Sequence, residues 1–316
     1  MKKSSDTQAP SSFATRLLVS ILLLVGLLIV STVIAVIMAG NDAFADANTA
    51  LIKVSGAIVS DADTGLLGEA TVSSTEAVRE LEQARDDSNI KAVILEINSP
   101  GGSPVASDEI AQAVKDVRAH NKTVVAWIRE EGASGGYWVA SACDHIVANR
   151  MSVTGSIGVY GSYLQFDRFL DDWNVTYNRL VSGERKDIGD PFVNLTDDKK
   201  EFLQRKLDKL HDFFIVEVAR NRNMSEDDVR LLADGQIFLG VEAKEEGLVD
   251  ELGGKPEAIA YVKRKIGDDV TIVEYEPERT LLEEIFGIVA PGRQPTLQDL
   301  AAQRAAGTST PQMALR

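Results

Sequence analysis

The sequence predicts an α/β fold built on a parallel sheet, and two observations carry that expectation. Short apolar runs alternate with segments of helical periodicity, the succession that yields βαβ units with right-handed crossovers. The run 92–97 is continuously apolar apart from Glu96, as in a strand buried on both faces, and it leads into a Pro-Gly-Gly turn ahead of a helix. The first strand is read at 51–59. Val78, Leu81 and Ala84, set between charges, predict an amphipathic helix over 72–86 with Ser73 or Ser74 as N-cap. Strand 92–97, helix 105–120 and strand 123–128 follow, then a helix over 134–142, a strand at 145–148 and a short glycine-flanked strand at 154–159. A helix at 163–173 and an alternating strand at 175–181 come next. From Thr196 to about Arg222 a long helix is expected, with Phe202, Leu203, Leu207, Leu210, Phe213, Phe214 and Val218 at helical spacing, a broad apolar face that needs a cover. A short helix from Ser225, strand 236–238, a helix near Ala243, helix 255–266, strand 271–275 and a short apolar helix at 281–289 complete the body.

Before this body, the stretch from Leu17 to Ala39 holds no charged residue and, at the helical rise, exceeds the roughly 30 Å hydrocarbon core of a bilayer. A cleaved signal peptide is the competing reading, on the strength of Ala43-Phe44-Ala45, but its apolar region would be far longer than usual. Lys2, Lys3 and Arg16 precede the stretch and Asp42 and Asp46 follow it, so the N-terminus is expected inside and the body outside the cytoplasmic membrane. The expected organisation is a cytoplasmic N-terminus at 1–16, one transmembrane helix at 17–39, a linker at 40–48, a single extracytoplasmic domain at 49–290 and a disordered tail at 291–316. The formal charge of −15 argues against nucleic-acid binding. A single cysteine, Cys143, excludes an intramolecular disulfide, and three histidines without metal-ligand spacing give no expectation of a metal; no cofactor is expected either.

The chemistry centres on Ser134, in Gly132-Ala133-Ser134-Gly135-Gly136-Tyr137. A serine hydroxyl needs a proton acceptor and donors aimed at the oxyanion formed on attack. The amide after the nucleophile, Gly135, is one donor candidate, and the turn after strand 92–97 offers Gly101 or Gly102 as the other. The bland alternative is that Ser134 merely N-caps the helix that follows. Among the histidines, His120 ends a helix, His211 lies inside the long one, and His145, after Asp144, is a minor alternative base. Ser156, in Thr154-Gly155-Ser156-Ile157-Gly158-Val159, is either a turn serine or a partner that orients the base.

Taken with Ser182-Gly183-Glu184-Arg185-Lys186-Asp187, the segments Ser99-Pro100-Gly101-Gly102, 132–137 and 154–159 resemble the bacterial signal peptide peptidase A family, in one order from about 51 to 273. The resemblance implies a ClpP/crotonase-like βαβ superhelical fold and a membrane-anchored serine endopeptidase assembled as a homo-oligomeric ring. Its substrates would be remnant signal peptides or other short hydrophobic peptides. It also gives Lys186 a role that the residue alone does not suggest: with Ser134 as nucleophile, Lys186 is the general base of a Ser-Lys dyad and works in its neutral form. A carboxylate beside that lysine would favour the ammonium, so the side chain of Asp187 is expected to point elsewhere. The rivals are a membrane protease dedicated to one integral-membrane partner, an inactive ring-forming scaffold of the same fold and, last, a crotonase-like acyl-CoA enzyme.

Overall fold

Strict alternation explains the centre of the sheet. In the strand from Ala92 to Ser99, Val93, Leu95 and Ile97 enter one core while Ala92 and Ile94 enter the other, so both faces are buried. At roughly 1.5–3 kcal/mol for each fully buried Val, Leu or Ile, such a strand is among the most stabilising segments of the chain. The computed structural model describes residues 17–28, 31, 47–61 and 71–275. Its elements run β1 (Thr49–Ser55), β2 (Ala57–Val59), β3 (Thr71–Ser73), α1 (Ser74–Asp86), β4 (Ala92–Ser99), α2 (Pro104–Ala119), β5 (Thr123–Ala133), α3 (Gly135–Ser141), β6 (His145–Ala148) and β7 (Val153–Gly155). They continue with α4 (Asp167–Asp172), α5 (Asp197–Arg222), α6 (Glu226–Leu232), β8 (Ile237–Leu239), α7 (Gly240–Glu245), β9 (Glu251–Leu252), α8 (Lys255–Ile266) and β10 (Ile272–Glu274).

The main sheet has the order β10-β1-β4-β5-β6-β9, parallel throughout, and β7 extends it beyond β5 with β8 antiparallel at its side. This is the mixed α/β architecture with a mostly parallel sheet that the sequence predicts. Helices α1, α2, α3 and the C-terminal half of α5 cover one face, and α8 covers the other through Ala258 and Val262. Capping is local. Ser73 accepts from Glu76 N and Ser103 from Ala106 N, with Pro104 opening α2, while α5 ends at Asn223 in the left-handed conformation.

Four expectations are corrected. The strand expected over 51–59 is two: the chain turns at Gly56, and β2 leaves the main sheet to pair with β3. Residues 175–181 alternate but form no strand, for no neighbouring strand accepts their backbone; Val175, Leu180 and Val181 are exposed. The helix expected at 163–173 shrinks to α4, which buries none of its residues. The apolar face of α5 is fully buried only from Phe214 onward; Phe202, Leu203, Leu207 and Leu210 are partly buried, and Phe213 is half exposed. Residues 17–28 are helical with exposed apolar side chains, and among the described residues no helix is long and apolar enough to cross a membrane. Apart from Ser31, the remainder of the expected span lies outside the described residues, as do most of the linker, the helix at 281–289 and the tail at 291–316.

Candidate active site

β5 ends at Ala133 and α3 begins at Gly135, so Ser134 is the single residue of a strand-to-helix turn, with φ 51° and ψ −121°. A serine in the left-handed half of the map costs about 1–3 kcal/mol, and strain of that kind collects at functional sites. Backbone bonds hold it there: Ser134 N donates to Gly155 O at 2.9 Å, and Trp138 N donates to Ser134 O at 2.9 Å. Its hydroxyl makes no capping bond to α3. The helix-cap alternative is thereby removed, and among the described residues the hydroxyl has no hydrogen-bond partner. A positive φ recurs at Ser156, 50°, whose N–H donates to Gln236 O at 2.7 Å. Ser134 and Ser156 line one cavity of about 1280 Å³.

The two glycine segments meet at this point. A Cβ on Gly101, where φ is 101°, would stand 2.6 Å from Gly135 N and 2.8 Å from Ser134 Cβ; one on Gly135 would stand 3.2 Å from Gly102 N. Only bare backbone lets the strands' ends close so tightly. The amides of the turn are not equivalent. Gly101 N–H donates to Ser99 Oγ at 3.1 Å. Gly102 forms a parallel bridge with Ile58, in which Ile58 N donates to Gly101 O and Ser103 N to Ile58 O, so the N–H of Gly102 itself points away from Ile58. Of the two donor candidates on this turn, Gly102 is therefore the one left to pair with Gly135.

The rest of the cavity is largely apolar, with Val105, Trp138, Leu210, Phe213 and Phe214 on its walls, and Trp138 packs on Phe214 at a centroid distance of 4.9 Å. Trp138, Phe213 and Phe214 thus line the cavity, whereas Trp127 packs with the core on the α8 side. His211 also lines the cavity, and its Nε2 is buried without a hydrogen-bond partner among the described residues. Its position inside a helix had hidden this, because periodicity does not tell which neighbour a helix face meets. Glu217, paired with Lys115 and reached by Asn221 Nδ2 at 3.1 Å, also lines the cavity.

His145 does not belong to this site. It stacks on Tyr261 at 3.8 Å, with Nε2 3.2 Å from Glu251 and Nδ1 3.8 Å from Asp250. Lys186 is not among the residues lining the cavity; it is exposed, in a turn where its N–H donates to Gly183 O at 3.1 Å. Asp187, its neighbour, turns inward to pair with Arg179 and with Lys199, the latter at 2.9 Å, so its side chain is spent away from the lysine. The segment between Ser156 and α5 that carries Lys186 is mostly exposed, with Tyr160 at 90%, Trp173 at 70% and Leu164 at 71% accessible.

A strained serine between strand and helix, its hydroxyl uncommitted and two glycine amides beside it, defines a serine hydrolase site. Comparison with known proteins narrows the class: residues 116–267 match the model for peptidase family S49. A protein of Enterococcus faecium named for signal peptide peptidase SppA is 32% identical over 72% of this chain and 67% of its own. A Synechocystis protein named as a protease is 34% identical over 75% of this chain and 82% of its own. Protease 4 of Haemophilus influenzae is 31% identical over 72% of this chain but only 37% of its own, so the chain spans little more than a third of that relative. The chain belongs to peptidase family S49, the signal peptide peptidase A family, and is a serine protease by class.

Proposed function

We propose that the chain is a membrane-anchored serine endopeptidase in which Ser134 and Lys186 form the catalytic dyad and the two residues of each site come from neighbouring copies in a ring. The observation that carries this reading is the conformation of Ser134 against Gly102 and Gly135. Lys186 Nζ takes the Ser134 proton as Oγ attacks the peptide carbonyl, and the oxyanion faces the amides of Gly102 and Gly135. The C–N bond then breaks, the amine leaves with the proton returned by Lys186, and water activated by the same amine hydrolyses the ester. Ser156, in the same cavity, orients the lysine. Exposure of Lys186 within an arm of uncovered apolar side chains supports delivery to a second copy, because that surface needs a partner. The apolar walls suit short hydrophobic peptides, remnant signal peptides among them, bound extended as an added strand. The uncharged stretch from Leu17 to Ala39 supports anchoring with the body outside the cytoplasmic membrane.

Co-expression tests the shared dyad. Ser134→Ala and Lys186→Ala are each inactive alone; mixed rings regain activity, up to about a quarter of wild type for random assembly. Full turnover by Lys186→Ala removes lysine from the mechanism, and two inactive variants whose mixture stays inactive place both residues in one chain. An acylating probe that leaves Ser134 unlabelled makes the protein a scaffold, and a cleavage profile with one sharp site makes it a protease for a single partner.

A further inference from the structure

The turn that bears Lys186 is exposed, yet it is tied down from beneath by carboxylates. The side chain of Asp187 is only 7% accessible; its Oδ1 accepts from Lys199 Nζ at 2.9 Å, and its other oxygen meets the guanidinium of Arg179. Lys199 belongs to the first turn of α5, and Arg179 to the extended segment 175–181, so one carboxylate pins the lysine turn to two separate pieces of chain. Three residues on, Asp190 repeats the arrangement more lightly, accepting from Tyr177 Oη at 2.8 Å and Phe192 N at 2.9 Å. Between these ties the backbone folds into successive turns, with Lys186 N to Gly183 O at 3.1 Å and Asp190 N to Asp187 O at 3.1 Å. Arg185 adds a third tie, its guanidinium 5.1 Å from the ring centre of Phe202 on α5.

Two physical consequences follow from the inward carboxylate. Residues 185 and 187 are both spent on α5, so the side chain between them is left to project freely. The negative charge at 187 faces two cations, and an unneutralised carboxylate next to Lys186 would favour the ammonium, which is useless as a base. A buried carboxylate deprived of its cations is costly, so the triad holds together as a unit.

We infer that Asp187, clamped by Arg179 and Lys199, is the positioning residue for the general base of this enzyme. It touches neither substrate nor the reacting atoms and acts through Lys186, so the inference rests on the dyad reading above. The test uses the full chain, with activity expressed per active site labelled by an acylating probe. Asp187→Asn keeps the shape and removes the charge that binds both cations; kcat falls at least about tenfold while KM stays within about twofold, since the groove is untouched. Wild-type kcat for Asp187→Asn, with Lys186→Ala inactive, overturns the positioning role and leaves the dyad standing. An active Lys186→Ala overturns both. Should Asp187→Asn fail to fold, Lys199→Gln decides the matter: a lowered kcat at constant KM upholds the clamp, and an unchanged kcat per labelled site overturns it.

Discussion

Gly101→Ala is the sharpest probe of the oxyanion geometry. The added methyl would lie 2.6 Å from Gly135 N, where ordinary contact begins at 3.4 Å, and 2.8 Å from Ser134 Cβ, so the backbone on one side has to yield by about 0.8 Å. A hydrogen bond of about 2.9 Å stretched by that amount is no longer a bond, and losing one oxyanion donor costs on the order of 10²–10³ in kcat, or roughly 3–4 kcal/mol. Placing a Cβ at positive φ destabilises the fold by a further ~1–2 kcal/mol whatever the neighbours. Gly247→Ala separates the two effects: φ there is 78° with nothing within 4 Å, so it carries the backbone penalty without the collision. Melting curves and steady-state kinetics on a chromogenic peptide should show both variants destabilised, with kcat reduced only in Gly101→Ala and KM within about threefold of wild type. A folded Gly101→Ala protein with wild-type kcat would refute the placement of the oxyanion between the two glycine segments.

Two further predictions concern stability. Burial pushes the Glu80 carboxyl up from 4.5 to about 7, with Glu76 adding to the shift and Arg79 and Lys53 opposing it. Its folded-state value lies above the unfolded one, so the stability it contributes is complete below about 4.5 and is lost as pH rises through about 7. Glu80→Gln therefore stabilises the body by about 1–2 kcal/mol at pH 8 after allowance for solvent screening and changes nothing at pH 4, which denaturant curves at the two values will read. Asp250 behaves oppositely: burial raises its carboxyl, but the fork of Arg222 at 2.7 and 2.9 Å and the Ile146 N–H at 2.7 Å outweigh burial and hold it below the usual range. Its contribution is present above the unfolded value and disappears as pH falls through the folded one, so Asp250→Asn costs about 2 kcal/mol at neutral pH, and the cost fades in acid. A cost that persists undiminished in acid would mean that the charge of Asp250 is not what holds α5 to the β6–β9 edge.

What could be read from the sequence was whatever is settled locally. The succession from β4 to β6 was legible because each strand is a continuous or alternating apolar run, and the helix before it was legible from its cap at Ser73. Ser134 was legible because glycines on both sides of a serine are a local signal. Features decided by distant neighbours were not. β2 and β3 are three residues each and are fixed by distant pairings, with each other and of Ile58 with Gly102; 175–181 alternates without a strand to receive it, and β9 is two residues long. The choice of Gly102 over Gly101 depends on the Ser99 hydroxyl, which satisfies the Gly101 amide. The place of His211 on the cavity wall follows from how α5 lies against α2 and α3, which no periodicity in α5 encodes.

The position of β10 against β1 has a consequence for biosynthesis. Thr49 pairs with Ile272 and Leu51 with Glu274, so the first strand of the body to leave the ribosome is completed by nearly the last. Until residue 274 has emerged, β1 offers one unpaired edge to anything nearby, and an apolar edge strand is a template for wrong pairing. Arrival of β10, the last strand among the described residues, thus acts as a latch: a chain cut short before it keeps its central strands and both glycine turns yet displays a sticky border. Quality control that removes such truncated chains would be reading the absence of three residues at 272–274, not the state of the catalytic centre.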